Sequence, residues 1–138
     1  MLVDYAHAFP YQYDVAGERH PILPLDLVNP ERVDQRITVD GHLDSGCTRS
    51  LFDGRLGLAI GLDPTRGNTI PFISATGVSI RAVLQRVVLE HPLLGAFELE
   101  VGFSQVNLSR NLLGRDFFAL TQLGFREHRM EFYVTARP

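Results

Sequence analysis

The sequence predicts a mainly antiparallel, barrel-like all-β domain with one or two short helices. Two observations carry this. Apolar and polar residues alternate in short runs with a period of two, the period of a half-buried strand. Turn residues interrupt those runs often, with 12 Gly and 8 Pro among 138 residues. Composition agrees with a packed domain: 45% of residues are apolar and 21% charged, far from the composition of disordered chains.

The elements follow in chain order. Residues 1–20 are rich in Tyr and Phe and read as an extra strand or an arm. From His20-Pro21 to Pro24 the chain is expected to break, because Pro restricts its own residue and the one before it. Leu25 and Leu27 suggest a short strand that turns at Asn29-Pro30. Between Arg36 and Asp44 the alternation is clearest. Ile37, Val39, Gly41 and Leu43 share one face, and Thr38, Asp40, His42 and Asp44 the other. Ser45-Gly46 supplies a tight turn. Leu51 to Leu62 reads as a short helix or an irregular stretch, followed by a loop at Asp63-Pro64 and Arg66-Gly67-Asn68.

Thr69–Ile73 and Val78–Leu84 read as two strands joined at Ser74-Ala75-Thr76-Gly77, a hairpin signal. Arg86–Glu90 and Phe97–Phe103 continue as strands, separated by His91-Pro92 and Gly95. Asn111-Leu112-Leu113-Gly114 is an apolar pair closed by Gly. Asp116–Leu123 is expected to be a short helix capped by Gly124. Arg129–Thr135 returns to a strand, with Met130, Phe132 and Val134 on one face.

The length fits one domain spanning 1–138, with residues 1–24 as an N-terminal arm or extra strand and 33–135 as the core. Net charge is −3 and all thirteen basic residues are Arg. No basic field favours nucleic acid or an anionic membrane, and lysine-based chemistry is excluded. The single Cys, Cys47, allows no intrachain disulfide and fits a reducing compartment. The first residues have no basic region followed by an apolar stretch, so no secretory signal is expected. No apolar run is long enough to span a bilayer. The expectation is a cytoplasmic protein with no nucleic-acid or membrane partner.

The chemistry-bearing constellation is Leu43-Asp44-Ser45-Gly46 together with Leu112-Leu113-Gly114-Arg115-Asp116, with the glycine-containing hairpin between them. In order and spacing this resembles the retropepsin-like aspartic proteases, over roughly Ile37 to Val134. The departures, Cys47 where Ala is usual and Thr48 where retroviral members carry an acid, place the resemblance nearer the bacterial and cellular branch. It implies a small closed retropepsin-like barrel with a flap hairpin. It also implies an aspartic endopeptidase acting on peptide or protein substrates without metal or cofactor. One Asp-Ser-Gly per chain implies a homodimer with Asp44 from each copy, because two carboxylates sharing one proton serve as base and acid.

The resemblance assigns the remaining roles residue by residue. Ser45 and Gly46 hold the catalytic loop, Leu112, Leu113 and Gly114 support it, and Arg115 braces it. Ser74, Ala75, Thr76 and Gly77 form the flap tip over the substrate. His42 shares the face of Asp44 and is expected either to shape a substrate pocket or to be a solvated or hydrogen-bonded structural His. The alternative reading is a non-catalytic peptide-binding or dimerisation module with the same fold. Cys47 reads as a small apolar stand-in for Ala, in preference to a nucleophile. His7, His20, His91 and His128 show no metal-ligand spacing. Arg81, Arg86, Arg126 and Arg129 read as a solvated sheet face. Tyr5, Phe9, Tyr11 and Tyr13 are expected to pack on the barrel or a partner subunit, and the N-terminal segment either builds a dimer interface or covers the cleft.

Overall fold

The computed structural model describes residues 2–74 and 76–137. The described residues form twelve strands, two short α-helices and one 3-10 turn. The strands are β1 (His7–Pro10), β2 (Gln12–Tyr13), β3 (Arg19–His20), β4 (Ile22–Asn29), β5 (Arg32–Leu43) and β6 (Leu51–Asp53). They continue with β7 (Thr69–Ile73), β8 (Ser79–His91), β9 (Gly95–Ser104), β10 (Asn111–Leu113), β11 (Thr121–Arg126) and β12 (Glu131–Ala136). Helix α1 (Gly54–Ala59) follows β6 and α2 (Arg115–Phe118) follows β10.

Seven strands form the main sheet in the order β4-β5-β10-β6-β9-β8-β7. A further pairing of β4 with β8 (Leu27 opposite Leu89) brings the sheet back on itself. The predicted alternation in β5 is present: Val39 and Gly41 are buried while Thr38 and Asp40 are exposed. The core contains fully buried Leu23, Leu25, Leu27, Phe52, Val87, Leu89, Val101 and Leu113. Phe117 from α2 and Phe132 from β12 join the same cluster.

Four expectations change. The break across His20–Pro24 is shorter than expected, because β4 runs through Pro24. Pairing of β4 with β8 begins only at Asp26, so Pro24 sits where β4 has a single neighbour and its missing N–H is tolerated. Second, Val78–Leu84 and Arg86–Glu90 are one strand, β8. Third, the helix expected over Asp116–Leu123 ends at Phe118, and Gly124 is no cap but part of β11, opposite Tyr133. Six paired positions with β12 outweigh the extension of a one-turn helix. Gly124 makes room for Tyr5: a Cβ there would lie 2.8 Å from the Tyr5 hydroxyl. Fourth, Met130 lies before its strand, in left-handed backbone (φ 50°) closing the turn at Glu127–Arg129, so only Phe132 and Val134 face the core.

The N-terminal segment forms strands. β1 pairs antiparallel with β12, and β12 with β11. Phe9 stacks on Phe132 at 5.3 Å, and Tyr13 is exposed beneath the Arg19 guanidinium at 4.8 Å. Buried Tyr11 donates its hydroxyl to the Glu127 carboxylate. Burial first, then that carboxylate, pushes the phenol up to about 12. The folded state therefore holds this proton more tightly than the unfolded state, whose value is about 10. The resulting stability is complete below pH 10 and is lost as the pH rises toward 12. In urea titrations the midpoint is expected to fall between pH 10 and 12, and Tyr11→Phe to flatten that fall.

Candidate active site

Strand β5 ends at Leu43, and the chain turns immediately. The Asp44 N–H donates to the Leu113 carbonyl at 2.9 Å, and the Cys47 N–H to the Asp44 carbonyl at 3.2 Å. Asp44 Oδ1 accepts the Gly46 N–H at 2.9 Å. The carboxylate is thus held by its own loop through one oxygen. Oδ2 has no hydrogen bond among the described residues. A Cβ on Gly46 would meet Asp44 Oδ1 at 3.2 Å, so a side chain there would crowd the carboxylate. Ser45 is exposed beside it.

Strand β10 runs between the two sides of this loop. It pairs in parallel with β5 (Leu113 opposite Leu43) and antiparallel with β6 (Leu112 opposite Leu51). Leu113 is fully buried, and half-buried Leu112 faces the cleft that contains Asp44. Gly114 follows, under the loop. A Cβ there would lie 2.6 Å from the Cys47 carbonyl oxygen and 2.9 Å from the Arg49 carbonyl carbon. Both are backbone atoms in a braced loop, so they have little room to yield. Gly114→Ala is expected to lower stability by about 1–3 kcal/mol, read as a shift in the denaturant midpoint.

The bracing centres on two residues that the sequence did not single out for it. Asp116 Oδ2 accepts the Ser50 N–H at 2.9 Å, and Oδ1 accepts the Ser50 hydroxyl at 2.7 Å. The Ser50 Oγ in turn accepts the Gly114 N–H at 3.0 Å. Ser50 is completely buried. The Arg115 N–H donates to the Cys47 carbonyl at 2.8 Å and the Asp116 N–H to Thr48 at 3.2 Å. Arg115 therefore contributes through its backbone. Its side chain is exposed and makes no hydrogen bond or ion pair among the described residues. The only hint in the sequence was Asp116 directly after Gly114-Arg115.

Opposite the loop stands the β7–β8 hairpin. The Ser74 N–H donates to the Val78 carbonyl and the Gly77 N–H to the Ser74 carbonyl, both at 2.9 Å. Gly77 has φ +83°, which glycine accepts without strain. Ser74 and Thr76 hydroxyls lie 2.8 Å apart. Ala75 lies outside the described residues. Between hairpin and loop is an open cleft of about 580 Å³, lined by Asp44, Gly46, Cys47, Thr48 and Arg49 on one side and by Ile70, Phe72, Ser74 and Ile80 on the other.

His42 does not line this cleft. β5 stops before Asp44, so the strand alternation does not carry the two side chains to the same place. The His42 ring lies 5.7 Å from that of His20. Burial, then the charges of Arg110 and His20, lowers its pKa. Nor does any residue of 2–20 line the cleft.

Cys47 donates its thiol to the Arg49 carbonyl at 2.7 Å. Burial, then the Asp44 charge, raises its pKa. That disfavours the thiolate a cysteine nucleophile requires. Asp14, Glu18 and His20 bring ligand-type atoms within 4.8 Å of one another. Asp14 Oδ1 already accepts the Ala16 and Glu18 N–H groups, and Arg110 stands 3.9 Å from Oδ2. These contacts cap the β2–β3 hairpin, and the guanidinium opposes a cation there. Among the described residues no helix is long and apolar enough to cross a membrane.

No protein-family model matches the chain, and neither does any curated protein. Solved structures do. A retropepsin-like aspartic protease from Rickettsia conorii superposes with a TM-score of 0.63 at 13% identity, covering 98% of both chains. EIAV protease complexed with the inhibitor HBY-793 gives a TM-score of 0.53 at 14% identity, over 78% of this chain and 91% of that one. The fold is therefore retropepsin-like. At this identity the likeness concerns the fold alone.

Proposed function

We propose that this retropepsin-like chain is one protomer of an aspartic endopeptidase, with the second carboxylate supplied by Asp44 of another copy. One observation carries the reading. The Asp-Ser-Gly of the chain follows directly on strand β5, beneath a hairpin, with Asp44 at the cleft and its loop braced from behind by β10. A single protomer offers one acid–base group where hydrolysis of an amide needs two. On a two-fold axis the two Asp44 carboxylates would stand about 3 Å apart and share a proton. The ionised one takes a proton from water as the water attacks the peptide carbonyl. The protonated one gives its proton to the carbonyl oxygen, and proton transfer to the amine then releases it.

In this reading Ser45 and Gly46 keep the loop rigid across the axis, and Leu112, Leu113, Gly114 and Arg115 support it. Ser74, Ala75, Thr76 and Gly77 close over an extended peptide and exclude water. The scheme requires no cofactor.

The test is peptide hydrolysis as a function of protomer concentration at mildly acidic pH. Below the dimer dissociation constant the rate is expected to rise with the square of concentration, because each active site needs two chains. A peptidase whose rate stays linear in protomer while sedimentation reports monomer would contradict the shared site. Absence of cleavage alongside tight peptide binding would favour a binding module of the same fold.

A further inference from the structure

The cleft beneath the hairpin has an apolar lining and one cation. Leu51 and Leu112 line it from the loop side and Ile70 and Ile80 from the hairpin, and among the described residues of the lining Asp44 is the one carboxyl group and Arg49 the one cation. We infer that Arg49 is a specificity-determining residue that selects acidic peptides, reading a substrate carboxylate at the mouth of the cleft. The inference rests on the endopeptidase reading and names the substrate class of that same site.

Three observations support it. The backbone that carries Arg49 is fixed. The Arg49 carbonyl accepts the Cys47 thiol, and the neighbouring carbonyls of Cys47 and Thr48 accept the Arg115 and Asp116 N–H groups. The guanidinium thus starts from a rigid base. Second, its present counterion is replaceable. Glu100 lies 3.5 Å from Arg49 Nη1, with the two side chains 49% and 47% exposed. Such pairs contribute little because both ends remain hydrated. A substrate carboxylate can take the place of Glu100 and engage the planar donor fork. Third, the attraction is local. With a net charge of −3, the chain as a whole does not draw in acidic peptides. An extended peptide paired along the hairpin presents alternate side chains to one wall. An aliphatic side chain would pack on the apolar lining, and an acidic one would reach Arg49.

The test uses peptides that are identical except for Glu, Gln or Arg at one position, moved stepwise across both sides of the scissile bond. At one position the wild-type protein is expected to cleave the Glu peptide about fivefold faster in kcat/KM than the Gln peptide, with Arg slower again. The difference should narrow at high salt. Read as a ratio within each protein, the Glu-over-Gln preference should vanish in Arg49→Gln and invert in Arg49→Glu. Equal rates for Glu and Gln at every position, or a preference that survives Arg49→Glu, would overturn the inference while leaving the peptidase intact. If the wild type cleaves none of the peptides, the endopeptidase reading fails. The charge preference is then read as binding of labelled Glu and Gln peptides by anisotropy, where equal affinities would sink it.

Discussion

Asp44→Asn is expected to abolish peptide cleavage, by about 10³-fold or more, while the protein stays folded. The amide keeps an oxygen that can accept the Gly46 N–H, as Oδ1 does at 2.9 Å, so the loop retains its shape. What it loses is the ability to take a proton from water. The effect should also spread through the dimer. When the variant and the wild-type protein are mixed in equal amounts and allowed to exchange, about a quarter of the dimers carry two intact carboxylates if assembly is random. Activity should fall to about that fraction of an equal total of wild type, whereas independent protomers would retain half. Cleavage assays on the pure variant and on the mixture, with circular dichroism as the control for folding, measure both effects. Wild-type rates in the pure variant would remove Asp44 from the chemistry.

The second large effect is expected away from the cleft. Asp116→Ala removes the acceptors of the Ser50 N–H and hydroxyl, while the Phe117 N–H keeps the Gly114 carbonyl at 3.1 Å. Ser50 is completely buried, so its amide has no water to turn to. Buried donors left without acceptors bear their desolvation cost uncompensated, and a loss of about 3 kcal/mol is expected. Asp116→Asn keeps one carbonyl oxygen and should cost about half as much. Because Ser50 also holds Gly114, the loop beneath Asp44 should loosen, and cleavage should fall beyond what the unfolded fraction explains. Chemical denaturation of both variants gives the stabilities. A change below about 0.5 kcal/mol in Asp116→Ala would mean that the brace contributes no more than an ordinary surface contact.

The legible parts of this protein are those with a short period. The alternation from Arg36 to Asp44 marked β5, which ends one residue earlier at Leu43, because successive side chains point to opposite faces. The hairpin between Ile73 and Ser79 was marked by its turn residues. Asp44-Ser45-Gly46 and Leu112-Leu113-Gly114 were recognisable as local motifs, and they do meet, through Leu113 opposite Leu43 and the Asp44 N–H bonded to Leu113. The misjudged elements are those where a distant partner overrides local preference. Thr121–Leu123 lies within the expected helix, yet β12 captures it as part of β11. Met130 has strand-compatible neighbours, yet the turn before β12 takes it. His42 follows the alternation of β5 faithfully, but the strand ends too early for that alternation to aim it at the cleft.

By itself the sequence determined an all-β chain with one acidic turn, one glycine-containing hairpin and one apolar-apolar-glycine segment, each set by neighbours within a few residues. Tertiary structure alone decided that Asp116 clasps Ser50 beneath the loop, that Arg115 serves through its backbone, and that Arg49 is the cation in the cleft. The reason is distance along the chain. Side-chain period and turn preference act over a few residues. Ser50 and Asp116 are 66 positions apart and become partners only when β10 inserts between β5 and β6.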